Sequence, residues 1–256
     1  MEWKRPDSLE SPIVWSRFEG KPHRDQSPLK YIVQDITEDL IEDAVEHMTR
    51  YFLVRENITS CIGYLEDKVS TDELRDVWRQ ALKQGVGLVA LVQDPEDESR
   101  KKIAGVNMTL IVTLEDKEKS ENKKSEFMEK IKGKLWKKTL RTLLELESNV
   151  DVGNLYGGQS TKYMSAYGLS VAPQYNGDGV GYQLLMARTP LCRALGVALT
   201  VTAFTGPASQ YLAKKAGFET IASLDYSTYE HDGELAYPRL DGCCLLMAKR
   251  IPVRDD

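Results

Sequence analysis

The sequence predicts one α/β domain, in which short apolar strands alternate with amphipathic helices. Two observations carry this prediction. A strand-like run ends at Val171, and a loop with glycine at every second position leads from it into an apolar-periodic helix. A second unit of the same order follows, with a strand over 197–203 and a helix that ends at Gly217. Residues 29–256 are assigned to this domain, and 1–28 are expected to form a loosely attached N-terminal extension.

The composition disfavours several classes of protein. The 256 residues carry a net charge of −5 and a pI near 5.4, which argues against general nucleic-acid binding. The N-terminal segment is polar and no apolar run reaches membrane-spanning length, so neither a signal peptide nor a membrane partner is expected. Four cysteines without zinc or disulfide spacing predict reduced thiols in a cytoplasmic protein. Because the sequence has only three histidines, no metal site is expected. As for the oligomeric state, a monomer is favoured.

The first half predicts a strand, two helices and two further strands. Leu29 to Ile36 alternates in hydrophobicity like a half-buried strand, whereas Glu38 to Leu53 has an apolar stripe of helical period. Thr71 to Gln84 repeats the helical pattern and begins at a Ser-Thr-Asp-Glu capping signal. Two strands follow, over Val86–Val92 and Ile103–Val112, joined by an acidic turn from Asp94 to Ser99.

The middle of the chain predicts a charged insertion and then the central strand. Residues 115–134 are interpreted as solvated, because lysines and glutamates are interleaved rather than gathered in a basic patch. The central strand runs from Tyr163 to Val171. The helix after the glycine loop covers 179–195, and Pro190 is expected to kink or end it, since proline costs about 3 kcal/mol in a helix interior.

The loop after Val171 has the features of an anion-binding site. Gly177, Gly179 and Gly181 lack a Cβ, so the backbone can approach a phosphate closely and adopt unusual φ values at little cost. The start of the next helix adds unpaired N–H groups and a favourable dipole potential. Position 182 is Tyr182, which excludes the G-x-G-x-x-G fingerprint, and the Gly-Lys-Ser/Thr ending of a P-loop is absent. The loop therefore predicts a ligand that carries a pyrophosphate.

The order of these residues resembles a known family. Strand, Gln-x-x-Gly-x-Gly and helix, read at Gln174, Gly177 and Gly179, are similar to the acetyl-CoA-binding motif of the GNAT (Gcn5-related) N-acetyltransferases. The later Lys-x-Gly-Phe that ends at Phe218 resembles the end of the family's fourth helix. The resemblance implies a central mixed, mostly antiparallel sheet of about seven strands flanked by helices. It also implies acetyl-CoA as co-substrate and no metal.

The resemblance places the cofactor along the strand end, the glycine loop and the first helical turn. The backbone of Leu169 and Val171 would pair with the pantetheine amides, and an N–H near Val171 would face the thioester oxygen. The residues that it implicates in cofactor binding are Leu169, Val171, Gln174, Gly177, Asp178, Gly179, Val180, Gly181, Tyr182 and Ser209. Most relatives carry Arg or Lys at the positions of Asn176 and Asp178, and the candidates for a compensating cation here are Lys214, Lys215 and Arg188.

A second element narrows the subfamily. Residues 51–57, Tyr-Phe-Leu-Val-Arg-Glu-Asn, resemble the aromatic-aromatic-x-x-Asp-Glu-Pro element of insect arylalkylamine N-acetyltransferases. The glutamate of that element is regarded as the catalytic base and corresponds to Glu56, whereas Arg55 and Asn57 depart from the pattern. Without the resemblance, Glu56 would be interpreted as a solvated glutamate at the end of a helix.

Two hydroxyl residues are the candidates for the acid that protonates the leaving thiolate. Many GNAT enzymes use a tyrosine whose position is Ala213 here. The insect subfamily instead carries two hydroxyl residues four apart, which Thr205 and Ser209 match. The alternative is that both hydroxyls simply cap the helix that follows them.

The resemblance implies acetyl-CoA-dependent N-acetylation of a small primary amine, with an arylalkylamine such as a biogenic monoamine as the expected substrate. The candidate aromatic residues of the amine pocket are Tyr31, Trp78, Tyr163 and Tyr167. The alternative is that each of them belongs to the hydrophobic core. Two alternatives stay open. One is an acetyltransferase for polyamine-like or peptide amines, and the other is a non-catalytic acyl-CoA-binding module, toward which Asp178, Asn57 and Ala213 point.

Overall fold

One eight-stranded sheet organises the part of the chain that the computed structural model describes, residues 3–22, 27–93, 102–114, 117–148, 150–158 and 160–252. The strands are β1 (Val14–Glu19), β2 (Lys30–Asp35), β3 (Leu88–Gln93), β4 (Lys102–Thr113), β5 (Lys162–Val171), β6 (Leu199–Phe204), β7 (Glu219–Asp225), β8 (Glu230–His231), β9 (Glu234–Leu235) and β10 (Cys243–Arg250). The sheet order is β1-β2-β3-β4-β5-β6-β10-β7, and β8 pairs only with β9. Only β5 and β6 pair parallel, so the predicted mixed, mostly antiparallel sheet is confirmed, with eight strands rather than about seven.

The helices cover both faces of this sheet. They are α1 (Ile41–His47), α2 (Asn57–Cys61), α3 (Lys68–Leu82), α4 (Lys117–Lys130), α5 (Lys134–Ser148), α6 (Val180–Ala194) and α7 (Pro207–Lys215). Leu88 and Ala90 of β3 belong to the apolar cluster that includes α6, whereas Val89 and Leu91 belong to the cluster that includes α1 and α3. Because successive strand residues face opposite sides, a strand covered on both faces is apolar throughout.

The N-terminal segment supplies the first strand of the sheet. Residues 1–28 were expected to form a loosely attached extension, but β1 pairs with β2 along its length. Asp35 fastens this edge further: its carboxylate accepts hydrogen bonds from the Trp15 indole at 2.6 Å and the Ile13 N–H at 2.8 Å, and pairs with Arg5 at 2.9 Å. The partner strand is distant in sequence, so the local composition did not indicate this pairing.

Helix α6 continues through Pro190, which corrects the expected break near Arg188. The helix packs against β1 to β6, and its inward residues Leu184 and Leu191 are fully buried. Burial of a side chain of this size stabilises by roughly 1.5–3 kcal/mol. Two such contributions offset the cost of one interior proline, so tertiary packing overrides the local propensity.

Helix α3 also begins differently from the prediction. It starts at Lys68 rather than Thr71, because the Asp67 carboxylate accepts the Ser70 N–H at 3.1 Å and caps the helix there. The predicted cap residue Ser70 is buried, and its hydroxyl accepts the Trp136 N–H at 2.9 Å. The charged segment 115–134 contains α4 from residue 117 onward, while the acidic turn from Asp94 to Ser99 lies outside the described residues. None of the helices in the described ranges has the length and apolar character needed to cross a bilayer.

Candidate active site

A cavity of about 380 Å³ opens where β5 and β6 separate. The two parallel strands pair only at Met164 and Thr200, so the sheet divides into two arms beyond that point. The cavity is bounded by the second half of β5, the end of β6, the turn before α2 and the start of α7. Its lining includes Tyr51, Phe52, Arg55, Glu56, Trp136, Tyr167, Leu169, Val171, Arg188, Thr202, Thr205 and Ser209.

The free edge of β5 presents backbone groups to this cavity. The Ala172 N–H donates to the Ala104 carbonyl at 2.9 Å, so residues 172 and 170 direct their backbone groups toward β4. Alternation along an antiparallel strand therefore directs the N–H and C=O of Leu169 and Val171 to the opposite edge, toward the cavity. The Val171 carbonyl accepts a 3.4 Å hydrogen bond there from the Arg55 guanidinium. An extended ligand with amide groups can pair with this edge as an added strand would.

The glycine loop turns the chain from β5 into α6. Gly177 has a φ of +92° and Gly179 a φ of +84°, and a Cβ at either position would meet no atom within 4 Å. The loop therefore has an open outer face and needs glycine for its backbone conformation. Gly179 is the N-cap of α6, and the first helical bond runs from the Gln183 N–H to the Gly179 carbonyl at 3.0 Å.

The first turn of α6 carries the remaining residues of the predicted cofactor loop. The N–H groups of Val180, Gly181 and Tyr182 precede the first helical bond and so have no partner within the helix. The Val180 side chain is buried, and Gly181 brings the helix close to Leu169 of β5. Gln174 is exposed on the turn before the loop.

Asp178 is turned away from the outer face of the loop. Its carboxylate is buried, accepts a hydrogen bond from the Tyr31 hydroxyl at 2.5 Å, and accepts another from the Lys21 N–H at 3.3 Å. A Cβ on Gly20 would lie only 2.6 Å from the same carboxylate, so the β1–β2 connection approaches Asp178 closely. Burial and this bond raise the pKa of Tyr31. The acidic side chain therefore fastens the loop to the N-terminal strands instead of lining a phosphate site.

The cations proposed to compensate Asp178 lie in three different settings. Arg188 is 1% exposed and lies inside the sheet fork, so it cannot reach the outer face of the loop. The Lys215 ammonium lies 4.8 Å from the centre of the Tyr182 ring, beside the first turn of α6. Lys214 is exposed on α7. Of the three, Lys215 is the one that the structure brings to the residues of the cofactor loop.

Glu56 and Thr205 meet in the cavity although 149 residues separate them. Glu56 is the N-cap of α2: its carboxylate accepts the Ile58 N–H at 3.0 Å and the Thr59 N–H at 2.7 Å. The Thr205 hydroxyl donates to the same carboxylate. Asn57, which departs from the subfamily element, donates through its amide to the Thr205 carbonyl at 2.9 Å. Glu56 is therefore both the cap of α2 and a residue of the cavity lining.

Ser209 lies in the first turn of α7 and also lines the cavity. Its hydroxyl donates to the Gly206 carbonyl at 2.9 Å, which is the bond of a residue in the first turn of a helix. Ala213, at the tyrosine position of many GNAT enzymes, is fully buried and carries no polar group. The hydroxyls of Thr205 and Ser209 are thus the candidate proton donors that the sequence named, and both reach the same cavity.

The aromatic lining differs from the one considered from sequence. Of the four candidates only Tyr167 lines the cavity, while Tyr31, Trp78 and Tyr163 are buried in the core. Sequence reasoning missed Tyr51, Phe52 and Trp136 as lining residues. Trp136 lies on the apolar stripe of α5, and Tyr51 and Phe52 lie five and four residues before Glu56, so their positions in the sequence did carry a signal.

The comparisons with known proteins fit this architecture. No protein-family model matches the sequence, and no curated protein does either. Among solved structures, a protein from the yellow fever mosquito assigned as arylalkylamine N-acetyltransferase 7 is 30% identical, with a TM-score of 0.85 over 98% of this chain and 100% of that chain.

More distant structures share the fold alone. Arylalkylamine N-acetyltransferase 2 from Aedes aegypti is 23% identical with a TM-score of 0.72, over 87% of this chain and 99% of that chain. A mosquito arylalkylamine N-acetyltransferase like 5b is 24% identical with a TM-score of 0.71, over 86% of this chain and 100% of that chain.

Since the 30% identity to the first structure extends over nearly the whole of both chains, this chain belongs to the insect arylalkylamine N-acetyltransferases, which have the GNAT fold.

Proposed function

We propose that this protein transfers the acetyl group of acetyl-CoA to a small primary amine, and that the amine is an arylalkylamine. The observation that carries the proposal is that one cavity holds both halves of the chemistry. The free backbone edge of Leu169 and Val171 lies on one side of it, and the hydrogen-bonded carboxylate of Glu56 on the other. The structural relative at 30% identity carries the arylalkylamine N-acetyltransferase name.

The cofactor side of the cavity fits an acyl-CoA. The outer face of the glycine loop is open, and three N–H groups at the start of a fifteen-residue helix can receive a pyrophosphate. The β5 edge would pair with the amides of the pantetheine arm, which requires Arg55 to leave the Val171 carbonyl. Gln174 and Tyr182 border this path, Gly177 and Gly179 form its floor, and Asp178 contributes its backbone only.

Glu56 is assigned as the base on the amine side. An alkylammonium must lose a proton before its nitrogen can attack a carbonyl carbon, and a carboxylate can accept that proton directly or through water. A carboxylate has about four acceptor positions, of which the Ile58 N–H, the Thr59 N–H and the Thr205 hydroxyl use three. One position is left for the substrate, and the three bonds hold the oxygen atoms in place.

The N–H of Val171 is assigned to the developing oxyanion, because it lies on the free edge of β5 and faces the cavity. Fixed backbone donors of this kind stabilise charge that appears only in the transition state. Ser209 and Thr205 are assigned to the leaving-group side. Tyr51, Phe52, Trp136 and Tyr167 give the amine pocket an aromatic lining, and such side chains suit an aromatic amine better than a chain of several charges.

A panel of amines with acetyl-CoA and thiol detection tests the proposal. Arylalkylamines such as tyramine or tryptamine should give the highest kcat/KM, with polyamines, agmatine and a peptide amine as comparison substrates. If polyamines, agmatine or the peptide amine give the higher kcat/KM, the proposed substrate class is wrong, whereas the proposed acetyl transfer is retained. CoA binding without turnover of any amine would show an acyl-CoA-binding module, and no CoA binding would remove the proposal altogether.

The compartment proposed for this activity is the cytosol. Cys61, Cys192, Cys243 and Cys244 are all free thiols. Free thiols are typical of a reducing environment.

A further inference from the structure

A buried guanidinium is part of the lining of the active-site cavity. Arg188 projects from α6 into the fork between β5 and β6 and is 1% exposed. Its Nε donates to the Asn107 amide oxygen at 2.8 Å, and its Nη1 donates to the Thr202 hydroxyl at 2.8 Å and to Thr200 at 3.5 Å. Every one of these acceptors is uncharged.

No carboxylate in the described residues compensates this cation. Arg188 forms no ion pair there, and its other close electrostatic partners are the ring of Phe218 at 5.9 Å and the thiol of Cys192. Burial raises the pKa of that thiol to about 12, so it carries no compensating charge. Burial lowers the pKa of Arg188 only to about 10, so the group stays protonated at neutral pH. Burying a charge without a counter-charge is costly, and proteins normally pair such a group. The missing partner is therefore expected to come from a ligand.

The free part of the guanidinium can meet such a ligand in the cavity. Arginine has five N–H donors, and the bonds to Asn107, Thr200 and Thr202 use those of Nε and Nη1. The two donors of Nη2 have no acceptor among the described residues. Arg188 lines the cavity together with Thr202, Leu185 and the residues of the free edge of β5.

We infer that Arg188 binds the sulfur of CoA and stabilises it as the thiolate, an assignment that rests on the proposed function. In the transfer the amine nitrogen forms a bond to the acetyl carbon, the C–S bond breaks, and its electron pair goes to sulfur. The ammonium loses its first proton to Glu56, which passes it to solvent water, and Glu56 then accepts the second proton, which the nitrogen loses as the tetrahedral intermediate collapses to the amide. The sulfur thus gains a negative charge deep in the cavity, where a guanidinium is far more effective than in water.

The chain offers few other groups for this task. Ala213 removes the tyrosine that would protonate the sulfur, and the Ser209 hydroxyl is bonded to the Gly206 carbonyl. Arg55, the other cation in the cavity lining, is exposed and faces the Val171 carbonyl. A cation that holds the thiolate makes a proton donor unnecessary at the moment of C–S cleavage, so the Ser209 and Thr205 hydroxyls on the leaving-group side are needed only for the later protonation of the sulfur.

Proton release on CoA binding tests this inference without any turnover. The thiol of free CoA should titrate near the usual thiol pKa of about 8.5, and a guanidinium contact should lower the pKa of the bound thiol by at least roughly one unit. Calorimetry of CoA binding at a pH of about 8, in buffers of different ionisation enthalpy, should then show release of about half a proton per CoA. Desulfo-CoA should show none of this release, and subtracting its signal removes contributions from Glu56 and Cys192.

The variant Arg188→Gln should abolish the difference between CoA and desulfo-CoA, while Arg188→Lys should retain part of it. Thr202→Val is the matched control, since it removes a bond at the same depth and keeps the charge. If Arg188→Gln fails to fold, the wild-type protein decides: CoA affinity relative to desulfo-CoA should rise about tenfold from pH about 6.5 to 9.5. Equal proton release for the two ligands overturns the inference and leaves the acetyltransferase proposal intact. Failure to bind CoA removes both.

Discussion

Replacing Glu56 by glutamine separates its two roles, helix cap and base. The carboxylate accepts three hydrogen bonds, two from the α2 backbone and one from Thr205. Glutamine keeps the shape and one acceptor oxygen, but its NH2 group would face a donor. We expect turnover to fall by roughly 10²–10⁴-fold, the usual loss when a general base is removed.

The structural cost of Glu56→Gln should be smaller than its chemical cost. Loss of a helix cap costs about 0.5–2 kcal/mol, and α2 has only five residues. The expected fall in rate corresponds to roughly 3–5 kcal/mol of barrier at 1.36 kcal/mol per factor of ten. A population of unfolded protein cannot explain such a loss when the global stability falls by so little.

The measurements are kcat/KM with the best amine, the dissociation constant for CoA and the denaturant midpoint. Asp67→Asn is the matched control, because Asp67 caps α3 outside the cavity and the variant removes a cap charge without touching a base. CoA affinity should stay near the wild-type value in both variants. Near-normal turnover in Glu56→Gln would refute the base assignment. Loss of CoA binding in that variant would make Glu56 a structural residue only.

Three further predictions concern the loop and one buried histidine. Gly179→Glu should weaken CoA binding by at least tenfold in a calorimetric titration, because the side chain would occupy the open face of the loop and its φ of +84° is strained for any L residue. Asp178→Arg should lower the unfolding free energy by roughly 1–3 kcal/mol in denaturant titrations rather than tighten CoA binding, since it leaves the Tyr31 hydroxyl unpaired and buries a new charge. Burial lowers the pKa of His47 to about 4, so the unfolded state takes up a proton from pH 6.5 downward while the folded state does not. Stability should therefore fall between pH about 6.5 and 4, by up to roughly 3 kcal/mol, with a shallower slope in His47→Gln.

Each of these predictions has an outcome that would contradict it. Gly233 has the same φ and the same open space in the β8–β9 hairpin, so Gly233→Glu should cost similar stability without changing CoA affinity. A comparable loss of affinity in both glycine variants would mean that the loop effect is conformational. Tighter CoA binding in Asp178→Arg would place that side chain at the phosphates after all. Parallel pH–stability curves for wild type and His47→Gln would show that the imidazole titrates freely.

The part of the site that is contiguous in sequence could be predicted, and the part made by distant contacts could not. Strand, glycine loop and helix from Leu169 to Tyr182 depend on local patterns, and the structure has them in that order. The orientation of Asp178 depends on Tyr31, 147 residues away, so local spacing could not indicate it. Arg188 was considered only as a cation for the loop, and its position in the fork could not be predicted because its acceptors come from β4 and β6. Pro190 was misjudged for the same reason: the packing that keeps the helix intact is tertiary.

The bond between Asp178 and Tyr31 connects the N-terminal strands to the glycine loop that we propose as the cofactor site. Phe18 of β1 stacks on Tyr31 with ring centres 4.9 Å apart, and the Lys21 N–H holds the other side of the same carboxylate. Linkage between two sites is reciprocal. Because β1 supports the loop, CoA bound at the loop should stabilise β1 in return and slow the exchange of its amide hydrogens. A shortened protein that begins at residue 29 would keep every residue of the predicted domain and still have a loosened loop. The N-terminal strand is therefore expected to preorganise the loop for CoA. Removal of this strand should weaken CoA binding more readily than it prevents folding.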